Sequence, residues 1–175
     1  MSGARITSYV NAMVELASAE GVLAEVASEM FQLAAAFETD EKLRAALTDQ
    51  SVPMVNRQSI VEALLSSKAN NVTVQLVAMV IGAGRARDLP GIAREFAERA
   101  SQAGGADFAE VRSAVALSDD QRGRLASALS AKLGRKVDVK VVVDPSVVGG
   151  IVATVGDEII DGSVRGNLDQ LKARL

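Results

Sequence analysis

The chain has 175 residues, 19 basic and 22 acidic side chains for a net charge of −3, and no Cys, His or Trp. Those absences remove disulfides, thiolate and imidazole nucleophiles and ordinary zinc sites, and the balanced charge with five aromatics leaves no electrostatic or stacking footprint for nucleic acid. A hydrophobic fraction of 49% marks a folding chain. No apolar run approaches the ~20 residues that span a bilayer, and the N-terminus lacks the apolar core of a signal peptide, so a cytoplasm-like compartment is expected.

The chain reads as two halves. Residues 1–104 are expected to be all-helical, and residues 105–175 alternate between β-branched runs and helical stretches. The expected seam is the small, flexible stretch 101–106. Helix 1 is expected from Ala4 to Ala17, with Ile6, Tyr9, Val10, Met13, Val14 and Ala17 at helical spacing and Gly21 ending the pattern. A second helix carries Leu23, Val26, Ala27, Met30, Leu33, Ala34 and Phe37 on one stripe. Thr39 and Asp40 are candidate caps for a short third helix with Leu43 and Leu47. Pro53 suits the first turn of a fourth, with Ser51 as a candidate cap. Asn70-Asn71 punctuates before the segment 72–82. Its β-branched content favours a strand, but its length and helical neighbours favour a helix, apolar nearly all round, with a buried face or a face for a partner. Leu89-Pro90 opens a sixth helix.

In the second half Phe108 to Val115 alternates as a strand. Ser118 and Gln121 form a capping-box pattern, followed by a helix that Gly134 ends. Lys136 to Val143 is the clearest strand in the chain. Ile151–Val155 and Glu158–Ile160 flank Gly156-Asp157, a hairpin signal. A last helix has Val164, Leu168, Leu171 and Leu175 on one seam. The expected fold is therefore a six-helix bundle over 1–104, followed by a small β-α-β-β-α domain over 105–175.

Chemistry is sparse. The stretch Gly156–Gly166 has glycines, Ser163 and Arg165, but neither phosphate-loop nor dinucleotide spacing; a hairpin and a helix cap explain it better. Asp144, Asp157, Glu158 and Asp161 are close in sequence, without Ca²⁺-loop spacing or an acid–base constellation. Arg85, Arg87 and Asp88 follow Gly82-Ala83-Gly84 in a loop. A nucleotide sensor built on Gly156–Gly166 and an RNA-binding α/β domain are the weaker alternatives to a non-catalytic interaction protein with apolar helix surface.

The C-terminal third carries a specific likeness. Lys136-Val137 and its strand, Asp144-Pro145-Ser146-Val147, Gly149-Gly150-Ile151-Val152, the run Gly156-Asp157-Glu158-Ile159-Ile160-Asp161-Gly162-Ser163-Val164-Arg165-Gly166 and a Leu-spaced final helix resemble the delta subunit of bacterial F-type ATP synthase. The mitochondrial counterpart of that family is the oligomycin-sensitivity-conferring protein. Tyr9, Gly84-Arg85 and Leu89-Pro90 extend the likeness across the chain, whereas Val10 and Asn167 depart from the family's usual residues. The resemblance implies a non-catalytic stator without a cofactor or metal. Its first domain would bind N-terminal helices of alpha subunits in a groove between the first and fifth helices, lined by Ile6, Tyr9, Val10, Met13, Val74, Val77, Ala78, Met79 and Ile81. Its second would bind the C-terminal end of the b-subunit stalk near Gly150, Leu168, Leu171 and Leu175. It would sit at the cytoplasmic face of the cell membrane, as a peripheral part of the complex.

Overall fold

The computed structural model describes residues 3–162. Its described elements are seven α-helices, one 3-10 turn and four strands. The chain divides into two compact units, one reaching Ala100 and the other starting at Ser101.

The first unit is helical. Helices α1 (Gly3–Ala19) and α2 (Leu23–Thr39) are joined by a turn of three residues, 20–22. α3 (Glu41–Thr48) is capped by Asp40, whose carboxylate accepts from Lys42 N and Leu43 N. α4 spans Met54–Leu65, α5 spans Asn71–Gly82, and a 3-10 turn at Ala86–Asp88 leads into α6, Leu89–Ala103. Pro53 sits one place earlier than expected, at the N-cap, with φ −53° and ψ 141°. Its ring fixes φ and leaves ψ free to be extended. Ser51 instead bonds to Asp49 through both N and Oγ.

The segment 72–82 is a helix despite its β-branched content. Thr73, Leu76, Val77, Val80 and Ile81 are all buried at helical spacing, so burial of one stripe outweighs a modest propensity cost. The four apolar ones join Val10, Met13 and Ala17 of α1, Val26, Ala27 and Met30 of α2 and Phe96 of α6 in a single core.

α6 runs to Ala103, so half of the expected flexible seam is helix. The helix closes with Ala106 N on Ser101 O and Gly105 N on Gln102 O, both at 2.9 Å, with Gly105 at φ +68°. This is a Schellman closure, and it needs the left-handed residue that glycine supplies without strain.

In the second unit, strands β1 (Asp107–Ser113), β2 (Val137–Val143), β3 (Ile151–Val155) and β4 (Glu158–Asp161) form one sheet in the order β2-β1-β3-β4. β1 and β2 are parallel; the other pairs are antiparallel. The parallel pair requires a crossover, which is α7 (Asp119–Leu133). α7 has the expected capping box, with Gln121 N on Ser118 Oγ at 3.2 Å and Ser118 N on Gln121 Oε1 at 2.9 Å. One sheet face, with Ala109, Val111, Val137, Ala153 and Val155, packs on Leu129 of α7. The alternate residues Glu110, Arg112, Asp138 and Lys140 carry charge on the other face. The element order β-α-β-β follows expectation as far as Asp161. The expected final helix, with Leu168, Leu171 and Leu175, lies outside the described residues.

A candidate docking groove on the helical unit

Two contacts fix the direction of α5. At its start, Glu29 of α2 accepts from the Asn70 N–H at 3.1 and 3.0 Å and from the Thr73 hydroxyl. Just after its end, the Arg85 guanidinium lies over the Tyr9 ring of α1, 5.9 Å from the centroid. α5 therefore starts beside the second turn of α2, at Glu29, and the turn that follows it reaches Tyr9 in the first half of α1.

Helical periodicity of 100° per residue then sorts the side chains. On α1 the flank carrying Tyr9 faces the α5 end. Seven residues on, two turns along the same flank, comes Leu16, 46% exposed. On α5 one flank faces α4, because Gln58 Nε2 donates to the Ala78 carbonyl at 3.2 Å. Val74 and Ala78 lie there, within a cleft of about 450 Å³ lined by Gln58 and Glu62 of α4 and by Asn71, Val74, Gln75, Ala78 and Met79 of α5. Met79, 43% exposed, is at its outer rim, turned away from the Val74 flank.

These placements sort the nine side chains expected in the groove. Val10, Met13, Val77 and Ile81 are 0–1% exposed and belong to the core, so that part of the expected face is corrected. Ile6 and Tyr9 on α1 and Val74 and Ala78 on α5 are half-buried, and Met79 is exposed. The most apolar stripe of an amphipathic helix is the stripe its own fold consumes, which leaves only the flanks open. Leu16 is exposed on such a flank and was not among the expected residues, since it falls off the core stripe. The signal available was its spacing of seven from Tyr9.

Electrostatics in the groove are mild. Burial raises the Tyr9 pKa and the Arg85 charge opposes it. The Tyr9 hydroxyl is buried without a hydrogen-bond partner among the described residues.

The expected stalk residue Gly150 is exposed in the β2–β3 loop, where Gly149 and Gly150 have φ of +64° and +74°. Asp144 stiffens this loop by accepting from Ser146 N at 2.9 Å and Ser146 Oγ at 2.6 Å and by pairing with Arg112 at 3.3 Å. The Ser146 hydroxyl, then its N–H, hold the Asp144 carboxyl below the ordinary range; slight desolvation opposes them and Arg112 adds to them. For Arg112, burial would lower the pKa, but the charges and hydrogen bonds of Glu110 and Asp144 outweigh it and raise it. Ser113 pairs with both Val143 and Ile151, so the end of β2 and the loop meet at one end of the sheet. Exposed Val143 (43%) lies at that end, with Val148 (57%) in the loop and Val115 (66%) just beyond β1.

The four carboxylates of the second half do not form a cluster. Asp144 and Asp161 lie toward this end, whereas Asp157 and Glu158 sit at the opposite hairpin, where Val155 pairs with Ala109. Among the described residues no group of three His, Cys, Asp or Glu is placed to hold a metal. Ser163 and Arg165 lie outside the described residues.

A family model described as "ATP synthase delta (OSCP) subunit" matches residues 6–175. The chain belongs to that family. It is similar to the ATP synthase subunit delta of Symbiobacterium thermophilum, 33% identical over 175 residues, spanning 100% of this chain and 94% of that one. It is 36% identical over 163 residues to the subunit delta of Methylobacillus flagellatus, spanning 93% of this chain and 91% of that one. It is 37% identical over 182 residues to the subunit delta of Acidothermus cellulolyticus, spanning 100% of this chain and 64% of that one. A chain of the structure titled "Cryo-EM structure of Toxoplasma gondii mitochondrial ATP synthase hexamer, composite model" shares the fold, with a TM-score of 0.56 at 16% identity, covering 97% of this chain and 96% of that one. As a delta-type subunit, the chain is a non-catalytic stator component of an ATP synthase. Among the described residues, no helix is long and apolar enough to cross a membrane.

Proposed function

We propose that this stator subunit clamps the two stationary parts of the ATP synthase to each other, taking alpha-subunit N-terminal segments on its helical unit and the C-terminal end of the b-subunit stalk on its second unit. The observation that carries the reading is family membership over residues 6–175, joined to apolar side chains that the fold leaves exposed on the first and fifth helices, Leu16 and Met79. An amphipathic helix laid across α1 and α5 would cover Tyr9, Leu16 and Met79, with Ile6 at one end. Such docking draws its free energy from apolar burial at about 25 cal/mol per Å², less the cost of ordering the incoming segment.

For the stalk, the supporting features are exposed Val115, Val143 and Val148 beside the stiffened loop at Gly149-Gly150. A left-handed glycine pair leaves the loop backbone bare, so a helix can approach closely. Leu168, Leu171 and Leu175 remain part of this proposed surface.

The mechanical logic is that of a fixed bracket. Proton-driven rotation of the central shaft is coupled to synthesis only if the head is held still, and a bracket needs stiffness and affinity instead of a reacting group. The chain has no His or Cys, so no imidazole or thiol titrates near neutrality. It would act peripherally, at the cytoplasmic face of the membrane. The test is calorimetric titration of the chain with a synthetic peptide of the cognate alpha N-terminal segment. Saturable binding that Leu16→Asp abolishes supports the groove; unchanged binding in that variant removes it.

A further inference from the structure

A groove between α1 and α5 exists only if α5 is held at a set distance from α1. The sequence shows no device for this, since Asn70-Asn71 reads as mere punctuation. The N-terminal turn of a helix leaves backbone N–H groups without intrahelical partners. In α5 the Asn70 side chain takes one of them, accepting from Val72 N at 2.9 Å. The Asn70 N–H itself goes to α2, where it donates to both Glu29 oxygens. Thr73, 0% exposed, donates its hydroxyl to Glu29 Oε2. A hydroxyl buried in this core without an acceptor would be costly, and Glu29, 44 residues away, is its acceptor. A carboxylate at a helix N-terminus also meets the positive end of the helix dipole.

We infer that Glu29 is the positioning residue of the docking groove: through Thr73 and the Asn70 N–H it sets where α5 begins relative to α2, and so how far α5 stands from α1. The inference rests on the reading of the α1–α5 groove as the alpha-segment site. Arg85 over Tyr9 fixes the other end of α5, so the helix is pinned at both ends and the groove is preformed. Preformed sites avoid part of the ordering cost of binding. Thr73 therefore acts through its hydroxyl, and its volume in the core is secondary.

Two substitutions at one position separate these roles. Thr73→Val keeps the shape and deletes the hydroxyl; Thr73→Ser keeps the hydroxyl and deletes a methyl. The full-length chain and its variants are titrated with the alpha-segment peptide, and amide hydrogen exchange is followed at residues 72–76, with α6 amides as the internal reference. Thr73→Ser is expected to hold peptide affinity within about twofold and to keep exchange in α5 slow. Thr73→Val and Glu29→Ala are expected to weaken binding roughly tenfold, the scale of losing a hydrogen bond to a charged group, and to speed exchange at 72–76 while α6 is unchanged. The reverse pattern, with Val retaining affinity and protection and Ser losing them, overturns the inference in favour of packing. Unchanged behaviour of all three variants overturns it as well. Leu16→Asp keeps the two readings apart. If it leaves peptide binding intact, the groove itself is wrong, while the exchange comparison still decides whether Glu29 sets the start of α5.

Discussion

Val77 and Met79 are two residues apart on α5 and were both expected at the partner surface, yet the fold gives them different duties. Val77 is fully buried and Met79 is 43% exposed. Val77→Ala removes two methyl groups from a packed core, at about 0.8 kcal/mol per methyl plus a cavity contribution, so it should cost about 2 kcal/mol of stability. Because the groove is built by other side chains, the affinity of the folded fraction for the alpha peptide should stay within twofold. Met79→Ala should cost about 1 kcal/mol of stability, less than Val77→Ala, because the fold covers only about half of that side chain. Fully burying a Met side chain is worth roughly 1.5–3 kcal/mol. A partner that covers the exposed 43% can gain at most that share, roughly 0.6–1.3 kcal/mol. The expected loss is therefore about 3- to 9-fold in Kd. Urea unfolding measures the first quantity and isothermal titration the second. The reasoning is refuted if Val77→Ala weakens binding without destabilising the chain, or if Met79→Ala destabilises it as much as Val77→Ala does and leaves binding unchanged.

Other perturbations follow from single contacts. Leu16→Asp should abolish peptide binding while lowering the melting temperature little, because a carboxylate is tolerated in water at this exposed site but not beneath a docked apolar helix; circular dichroism melts run beside the titrations check both halves. Ser118→Ala removes one half of the α7 capping box and should cost about 1 kcal/mol in urea unfolding. Gly105→Ala meets no atom within 4 Å but must hold φ near +68°, so it should destabilise by about 1 kcal/mol through backbone strain alone. Asp144 has a folded-state pKa below its ordinary 3.8. Its contribution is present above that value and is lost as pH falls through the lower folded one, because the unfolded state takes up the proton first. The acid limb of a stability–pH curve below about pH 4 should therefore be shallower in Asp144→Asn than in the parent; identical limbs would remove this carboxylate from the account.

The helices were legible because each buries one stripe at helical spacing, as Val26, Met30, Ala34 and Phe37 do in α2. The strands were legible because Phe108 to Ser113 and Val137 to Val143 alternate, and the α7 caps because a capping box is local chemistry. Pro53 was misplaced by one residue, since its fixed φ suits either side of a helix start. The proposed groove was only half legible. Periodicity separates a core stripe from the rest, but which flank stays open depends on where α4 lies, and that is decided by a contact as remote as Gln58 to Ala78. The Glu29–Thr73 bond leaves no sequence pattern, because neither residue type nor spacing announces a pair 44 positions apart. The four carboxylates were rightly not read as a site: the hairpin at Gly156-Asp157 and the pairing of β3 with β1 send these sequence neighbours to opposite ends of the sheet.

The bracket itself is tested most directly by a bridging assay. The soluble stalk segment is immobilised, an isolated alpha/beta head is passed over it, and retention is read with and without this chain. The account predicts that the head is held only when the chain is present, and is released again when the chain carries Leu16→Asp. Retention of the head without the chain, or failure of the intact chain to hold it, would contradict the account.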